Sequence, residues 1–278
     1  MKGSQDQLWD IVIVGAGPAG ASCALMLSGK GLKVALLDKS VFPRDKICGD
    51  ACAPDVMAQF RRISPEMEER FLQMTSGHRV DAGRLITTDG ESVVVESPET
   101  SGKFGVVMSR MDLDHFILNE VKLKGDVTVY EGCQVEKIGE ERKVLKLSTS
   151  LGDFHTQMVI GADGNHSIVA KELAGRNGID KNHHCAALRQ YYKNVDWPQG
   201  NHHIDIFAIE DTMPGYLWVF PMSDNRANVG IGMLSQKLSK NKVNLKKVLE
   251  NALATHPELA GRFKDAEPIE SVKGFGIP

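Results

Sequence analysis

The sequence predicts an α/β chain in which a dinucleotide-binding βαβ unit is interleaved with a second, β-rich unit. Three observations predict it. Residues 10–38 run strand, glycine turn, helix, strand; a second strand-to-helix turn lies at 161–175; and from about residue 184 short β-like runs with polar connections take over.

The opening segment, DIVIVGAGPAGASCALMLSGKGLKVALLD, carries most of the signal. Ile11 to Val14 form an apolar, β-branched run that stops at Gly15, Gly17 and Gly20, a G-x-G-x-x-G turn. A helical stretch follows, then Val34 to Leu37 and Asp38. The first glycine permits a tight turn, the second lets the backbone approach a pyrophosphate, and the third lets helix and strand pack closely. The helix start aims free N–H groups and its positive dipole end at the phosphates. Asp38 sits where a carboxylate accepts hydrogen bonds from a ribose.

Composition sets the frame. The 278 residues suffice for one large domain or two modest ones. Apolar residues make up 42% and charged residues 25%, ordinary for a globular chain, and a net charge of −3 gives no reason to expect nucleic acid. Five cysteines, an odd number, fit a reducing, cytoplasmic compartment better than a disulfide framework. The apolar run 11–27 contains Pro18 and three glycines and reads as strand plus helix, not as a membrane span.

Further elements follow in order. Pro54 opens a helical stretch, and residues 65–74 are helical again. Asp89-Gly90 between two β-rich runs predicts a hairpin over 79–96. Ser109 begins a helix with Asp112 in a capping-box-like place and Leu113, Phe116, Ile117 and Val121 on one face. Strands are predicted near 127–130, 133–138, 143–149 and 154–160. An antiparallel sheet is predicted from 184–193, 203–209, 216–220 and 227–234, covered by a helix at 243–254. The expected domains are 1–78 with 97–180, for the nucleotide, and 79–96 with 181–278, for the substrate.

Four segments carry chemistry beyond the first turn. Arg110 heads a helix, where a cation opposes the macrodipole; it either reaches an anion or is a solvated surface arginine. Gly161-Ala162-Asp163-Gly164 puts a carboxylate on a strand-to-helix turn, unless it is an ordinary Asp–Gly turn. Cys48, in FPRDKICGD at 42–50, is either a thiolate-prone residue in a basic-flanked loop or an inert small side chain, and the inert reading is favoured from the residues alone. Tyr216, Trp218 and Phe220 alternate and share one strand face, as plain core or as the wall of a ligand cavity. Cys48 and Cys52 with His183, His184, His202 and His203 do not have zinc-site spacing, and no metal is expected.

Together these segments resemble the geranylgeranyl reductase family, within the flavoproteins related to para-hydroxybenzoate hydroxylase. The resemblance covers nearly the whole chain. It rests on residues 10–24, FPRDKICGD, SRMDLDHFIL at 109–118, GADGNHSIV at 161–169 and PGYLWVFP at 214–221, which matches that family's Tyr-x-Trp-x-Phe-Pro signature. It implies a Rossmann-like FAD-binding domain interleaved with an α+β substrate domain. FAD is the implied cofactor, NAD(P)H a transient reductant, and a prenyl lipid the substrate, with transient membrane-surface contact by a cytoplasmic, peripheral protein. The implied cofactor-binding set is Gly15, Ala16, Gly17, Ala19, Gly20, Asp38, Lys39, Arg44, Cys48, Gly49, Asp50, Arg110, Val135 and Asp163. Within it the glycine turn and Asp38 hold the ADP part, and Arg110 lies near the phosphates or ribityl chain. The Val135 backbone meets the adenine, Asp163 supports the pyrophosphate region, and the Cys48-Gly49 loop faces the flavin ring. Tyr216, Trp218 and Phe220 line a prenyl tunnel, and Cys48 is the candidate catalytic residue, as proton donor or shaping group.

The chain departs from the family in two places. The cysteine loop continues as Asp50-Ala51-Cys52 where the family has further glycine. The sequence stops at Gly274-Phe275-Gly276-Ile277-Pro278, before the family's later Gly-Asp segment, so either a truncated chain or one completed in trans is expected, with weakened FAD binding as it stands. Two other readings remain: a flavin monooxygenase or halogenase, and a non-catalytic fragment.

Overall fold

The computed structural model describes residues 7–96, 105–141, 143–176, 180, 182–198 and 202–277. Its contacts divide the chain into two units, Met1–Asp45 with Arg110–Gly178, and Lys46–Ser109 with Ile179–Pro278. In chain order, the first unit opens with β1 (Leu8–Val14), α1 (Pro18–Leu27) and β2 (Val34–Asp38). The second unit then contributes β3 (Ala51–Cys52), α2 (Pro54–Ile63), α3 (Pro65–Leu72), β4 (His78–Val80), β5 (Ala82–Ile86), β6 (Ser92–Glu96) and β7 (Gly105–Val107). The chain returns to the first unit for α4 (Arg110–Lys124), β8 (Val127–Glu131), β9 (Val135–Glu141), β10 (Val144–Thr149), β11 (Gly152–Gly161) and α5 (Ile168–Ala174). It ends in the second unit with β12 (Cys185–Lys193), β13 (His203–Phe207), β14 (Gly215–Met222), β15 (Arg226–Leu234), α6 (Ser235–Asn241), α7 (Leu245–Thr255), α8 (Pro257–Arg262), β16 (Glu267–Pro268) and β17 (Lys273–Ile277).

The first unit is built on a sheet in the order β8-β2-β1-β11-β10-β9. Strands β8, β2, β1 and β11 are parallel, and β10 and β9 add an antiparallel edge. Ile11, Val12, Ile13 and Val14 are all buried, as in a parallel strand covered on both faces. Register places Val14 beside both Leu37 and Gly161, and Asp38 beside Glu131, so the carboxyl ends of β1, β2, β8 and β11 share one edge. Ligands bind at that edge in open α/β sheets. Pro18 opens α1 with its fixed φ, and Ser167 caps α5 by accepting from Ala170 N.

The second unit carries an eight-stranded mixed sheet, ordered β16-β12-β15-β14-β13-β5-β6 with β17 also on β12, and a small sheet β3-β7-β4. Alternation along β14 splits its side chains. Leu217 and Val219 join a core with Leu245, Leu249, Leu253 and Leu259 from α7 and α8. Trp218, Phe220 and Met222 join Val80 and Val107 of the small sheet.

The expected fold class is observed. The hairpin at 79–96 forms as β5 and β6, but β5 pairs parallel with β13, so the sheet is mixed and not purely antiparallel. The domain limits shift: residues 46–78 and 105–109 belong with the second unit and not the first, because β3 and β4 pair with β7 beneath β14. The expected limits at residues 97 and 181 lie outside the described residues.

Candidate functional site

The predicted residues fall into two groups, one in each unit. In the first unit, Gly15 has a φ of +100°, a conformation side chains rarely adopt, and a Cβ there would collide with the Ala162 carbonyl. A Cβ at Gly20 would collide with the Gly15 carbonyl, so the third glycine lets α1 pack against the turn. Gly17 is different: a Cβ there would meet only guanidinium nitrogens, Arg44 at 3.7 Å and Arg110 at 4.0 Å. Ala16 lies within the turn, buried, and Ala19 is exposed in the first turn of α1.

Asp38 is buried at the end of β2. Its Oδ2 accepts from Ala16 N at 2.7 Å and its Oδ1 from Ser40 N at 2.8 Å. It thereby shapes the glycine turn, and each carboxylate oxygen retains a second lone pair for a ribose hydroxyl. Lys39 follows, exposed. Val135 opens β9 opposite Thr149, at a register irregularity.

Arg44 and Arg110 share one carboxylate. Asp114 is fully buried; its Oδ2 takes Arg44 NH1 at 2.5 Å and its Oδ1 takes Arg110 Nε at 2.6 Å. Arg110 reaches an anion, as its place at the helix start suggests, and that anion is the protein's own. Two guanidinium groups thus gather on one carboxylate beside Gly17 and the α1 N-terminus. This donor set fits the diphosphate of a dinucleotide: guanidinium forks, backbone N–H groups and space where a Cβ is missing. Asp114 was not predicted. Its signal was present, an acidic residue four after Arg110 and beside the apolar positions Leu113 and Ile117.

Asp163 is engaged locally by its side chain. Its carboxylate accepts from Ser167 Oγ at 2.5 Å and Ile168 N at 2.7 Å, capping α5. Its contribution at the turn comes through the backbone it shares with Ala162, against Gly15.

In the second unit, Cys48 is half-buried and Gly49 lies against the aromatic row. A Cβ on Gly49 would sit 2.8 Å from the Phe220 ring and 3.5 Å from Trp218 Nε1. Tyr216, Trp218 and Phe220 do share a face: successive ring centroids are 6.0 and 6.3 Å apart. Trp218 and Phe220 are buried while Tyr216 is half-exposed. The carboxylate of Asp50 is turned to Tyr191 Oη at 2.5 Å and Asn228 Nδ2 at 2.8 Å, both within this unit. Burial pushes the Cys23 and Cys133 thiols of the first unit up, away from reactivity.

A model of the family described as FAD binding domain matches residues 9–261. The chain belongs to that family. It is 28% identical over 239 residues to a menaquinone reductase of Mycobacterium tuberculosis, covering 84% of this chain and 57% of that one. It is 28% identical to digeranylgeranylglycerophospholipid reductase 1 of Methanococcoides burtonii, covering 97% and 66%. The chain thus spans between half and two thirds of the length of these relatives. The fold matches the crystal structure of a geranylgeranyl bacteriochlorophyll reductase-like protein of Thermoplasma acidophilum at a TM-score of 0.77 and 22% identity, covering 98% of this chain and 66% of that one. A flavin-dependent halogenase matches at a TM-score of 0.78 and 20% identity, covering 98% and 50%, so the fold is common to both chemistries. Among the described residues, no helix is long and apolar enough to cross a membrane.

Proposed function

We propose that this flavoprotein serves the reduction of isolated double bonds in prenyl lipids, with NAD(P)H as the reductant of FAD. In the first unit, Asp38 would take a ribose hydroxyl. Gly15, Ala16, Gly17, Ala19 and Gly20 would present backbone to the diphosphate, with Arg44 and Arg110 as counter-ions and Lys39 and the Val135 backbone flanking the ADP part. Asp163 would hold the turn through its cap. FAD, when bound and reduced by NAD(P)H, would supply a hydride for one alkene carbon. The second carbon needs a proton, and the thiol of Cys48 is the proposed donor. An unactivated alkene has no carbonyl to stabilise charge, so the protein must hold it tightly and exclude water. Tyr216, Trp218 and Phe220 would pack the prenyl chain, and a lipid substrate implies transient contact with a membrane surface by a cytoplasmic protein.

The observation that carries the reductase reading is the packing of Gly49 directly on the Trp218–Phe220 row, which joins the two segments that distinguish the reductase family. The test is anaerobic turnover with FAD, NADPH and a geranylgeranyl lipid, read by mass spectrometry. Gain of two hydrogens per double bond supports the proposal. Oxygen consumption tightly coupled to a hydroxylated or halogenated product would support the monooxygenase or halogenase reading instead. No flavin absorbance and no thermal shift on adding FAD would support a non-catalytic chain.

A further inference from the structure

Asn228 lies on β15, opposite Tyr191 of β12 and Phe220 of β14, and is fully buried. Its amide is used in three directions. Nδ2 donates to the Cys48 carbonyl at 2.8 Å and to Asp50 Oδ2 at 2.8 Å, and Oδ1 accepts from Trp218 Nε1 at 2.9 Å. The partners fix the amide's orientation. An indole N–H can only donate and a carbonyl can only accept, so the flipped amide would set donor against donor and acceptor against acceptor. Asp50 Oδ2 also receives the Tyr191 hydroxyl, and the Asp50 carbonyl accepts from Met108 N at 2.9 Å. Asp50 holds this arrangement at a φ of +67°.

We propose that Asn228 is a positioning residue: it locks the Cys48–Asp50 loop to Trp218 and so fixes where the Cys48 thiol stands relative to the aromatic wall. The proposal rests on the reductase reading for its catalytic meaning, but not for the placement itself. Holding the carbonyl of residue 48 fixes the peptide plane into Gly49, and Gly49 has no Cβ to keep it from the Phe220 ring. The same amide fixes the indole edge. A valine or serine at 228 could fill the space, but neither could donate twice and accept once. Loop and wall would then move independently, in a site where small misplacements cost rate.

The experiment compares the whole chain with its Asn228→Ala, Asn228→Asp and Tyr191→Phe variants. Each is treated with iodoacetamide, and labelling at Cys48 and Cys185 is read by peptide mass spectrometry. Cys185 is the internal reference, because it is also half-buried in the second unit but stands outside this network. The expected result is a change of about tenfold in the Cys48 rate for both Asn228 variants, since both remove the amide donor to the Cys48 carbonyl and to Asp50. Tyr191→Phe removes only the hydroxyl on Asp50 and gives a smaller change in the same direction, which carries the test if an Asn228 variant does not fold. The Cys185 rate stays at its wild-type value throughout. A merely structural residue would raise both rates together, and that result, or an unchanged Cys48 rate, overturns the proposal. In the turnover assay, the Asn228 variants are expected to lose kcat about a hundredfold with KM nearly constant. No turnover of prenyl lipid by the wild-type chain, together with the selective Cys48 change in its variants, would defeat the reductase reading and leave the positioning role standing.

Discussion

Gly17 and Gly20 differ in what a methyl group would meet, and that difference separates binding from folding. Gly20→Ala drives a Cβ into the Gly15 carbonyl. It is expected to cost about 1–3 kcal/mol or more, seen as a Tm lower by about 2–4 °C per kcal/mol. Gly17→Ala meets only the tips of Arg44 and Arg110. It is expected to keep nearly the wild-type Tm while weakening FAD about tenfold, or about 1.4 kcal/mol, as measured by titration. Asp114 tests the same cradle from beneath. Asp114→Asn keeps the shape but leaves two guanidinium groups without their shared counter-ion, at a cost of about 3 kcal/mol. A bound diphosphate would replace the missing charge, so the FAD-induced rise in Tm should be larger in the variant than in the wild type. An equal rise would show that Arg44 and Arg110 do not face the cofactor.

Helix α8 shows how one cap couples an element to pH. Burial holds the His256 imidazole below its ordinary value, and its Nδ1 accepts from Glu258 N at 3.2 Å at the start of α8. Burial, with His202 nearby, lowers His78 in the same direction. The unfolded chain therefore takes up these protons first, from about pH 6.5 downward. Stability from the neutral rings is complete above that pH and is lost as pH falls below it. His256→Asn keeps a capping acceptor that does not titrate, so Tm measured between about pH 7.5 and 5 should fall less steeply than in the wild type. The elements most legible in the sequence were those with long local patterns: β1, α1, β2, α4 and β14. Strands β3 and β7, three residues or fewer each, carry no period to read. The parallel pairing of β5 with β13 joins segments more than a hundred residues apart, which no local pattern encodes. Within the candidate site, glycine spacing exposed the turn and aromatic alternation exposed the wall. Asn228 gave no signal, because in RANVGIGML a polar residue alternating with valine and isoleucine reads as the solvent face of a strand.

At the scale of the whole molecule, the chain alternates twice between two units, and each unit assembles its part of the candidate chemistry from both of its segments. Arg44 comes from the first segment and Arg110 and Asp114 from the third, yet both guanidinium groups meet on Asp114 and lie beside Gly17. Cys48 comes from the second segment and Trp218 and Asn228 from the fourth. The family match spans both units, so cofactor recognition is the foundation of the proposed function. The central proposal is that the first unit recognises the ADP half of FAD through Asp38, the glycine turn and the paired arginines. Competition against bound FAD tests this most directly, with flavin fluorescence as the readout and ADP-ribose or riboflavin as the competitor. The account predicts that ADP-ribose displaces FAD, and that Arg110→Ala weakens FAD and ADP-ribose by the same factor. Displacement by riboflavin, with no effect of ADP-ribose at about a hundredfold excess, would contradict it.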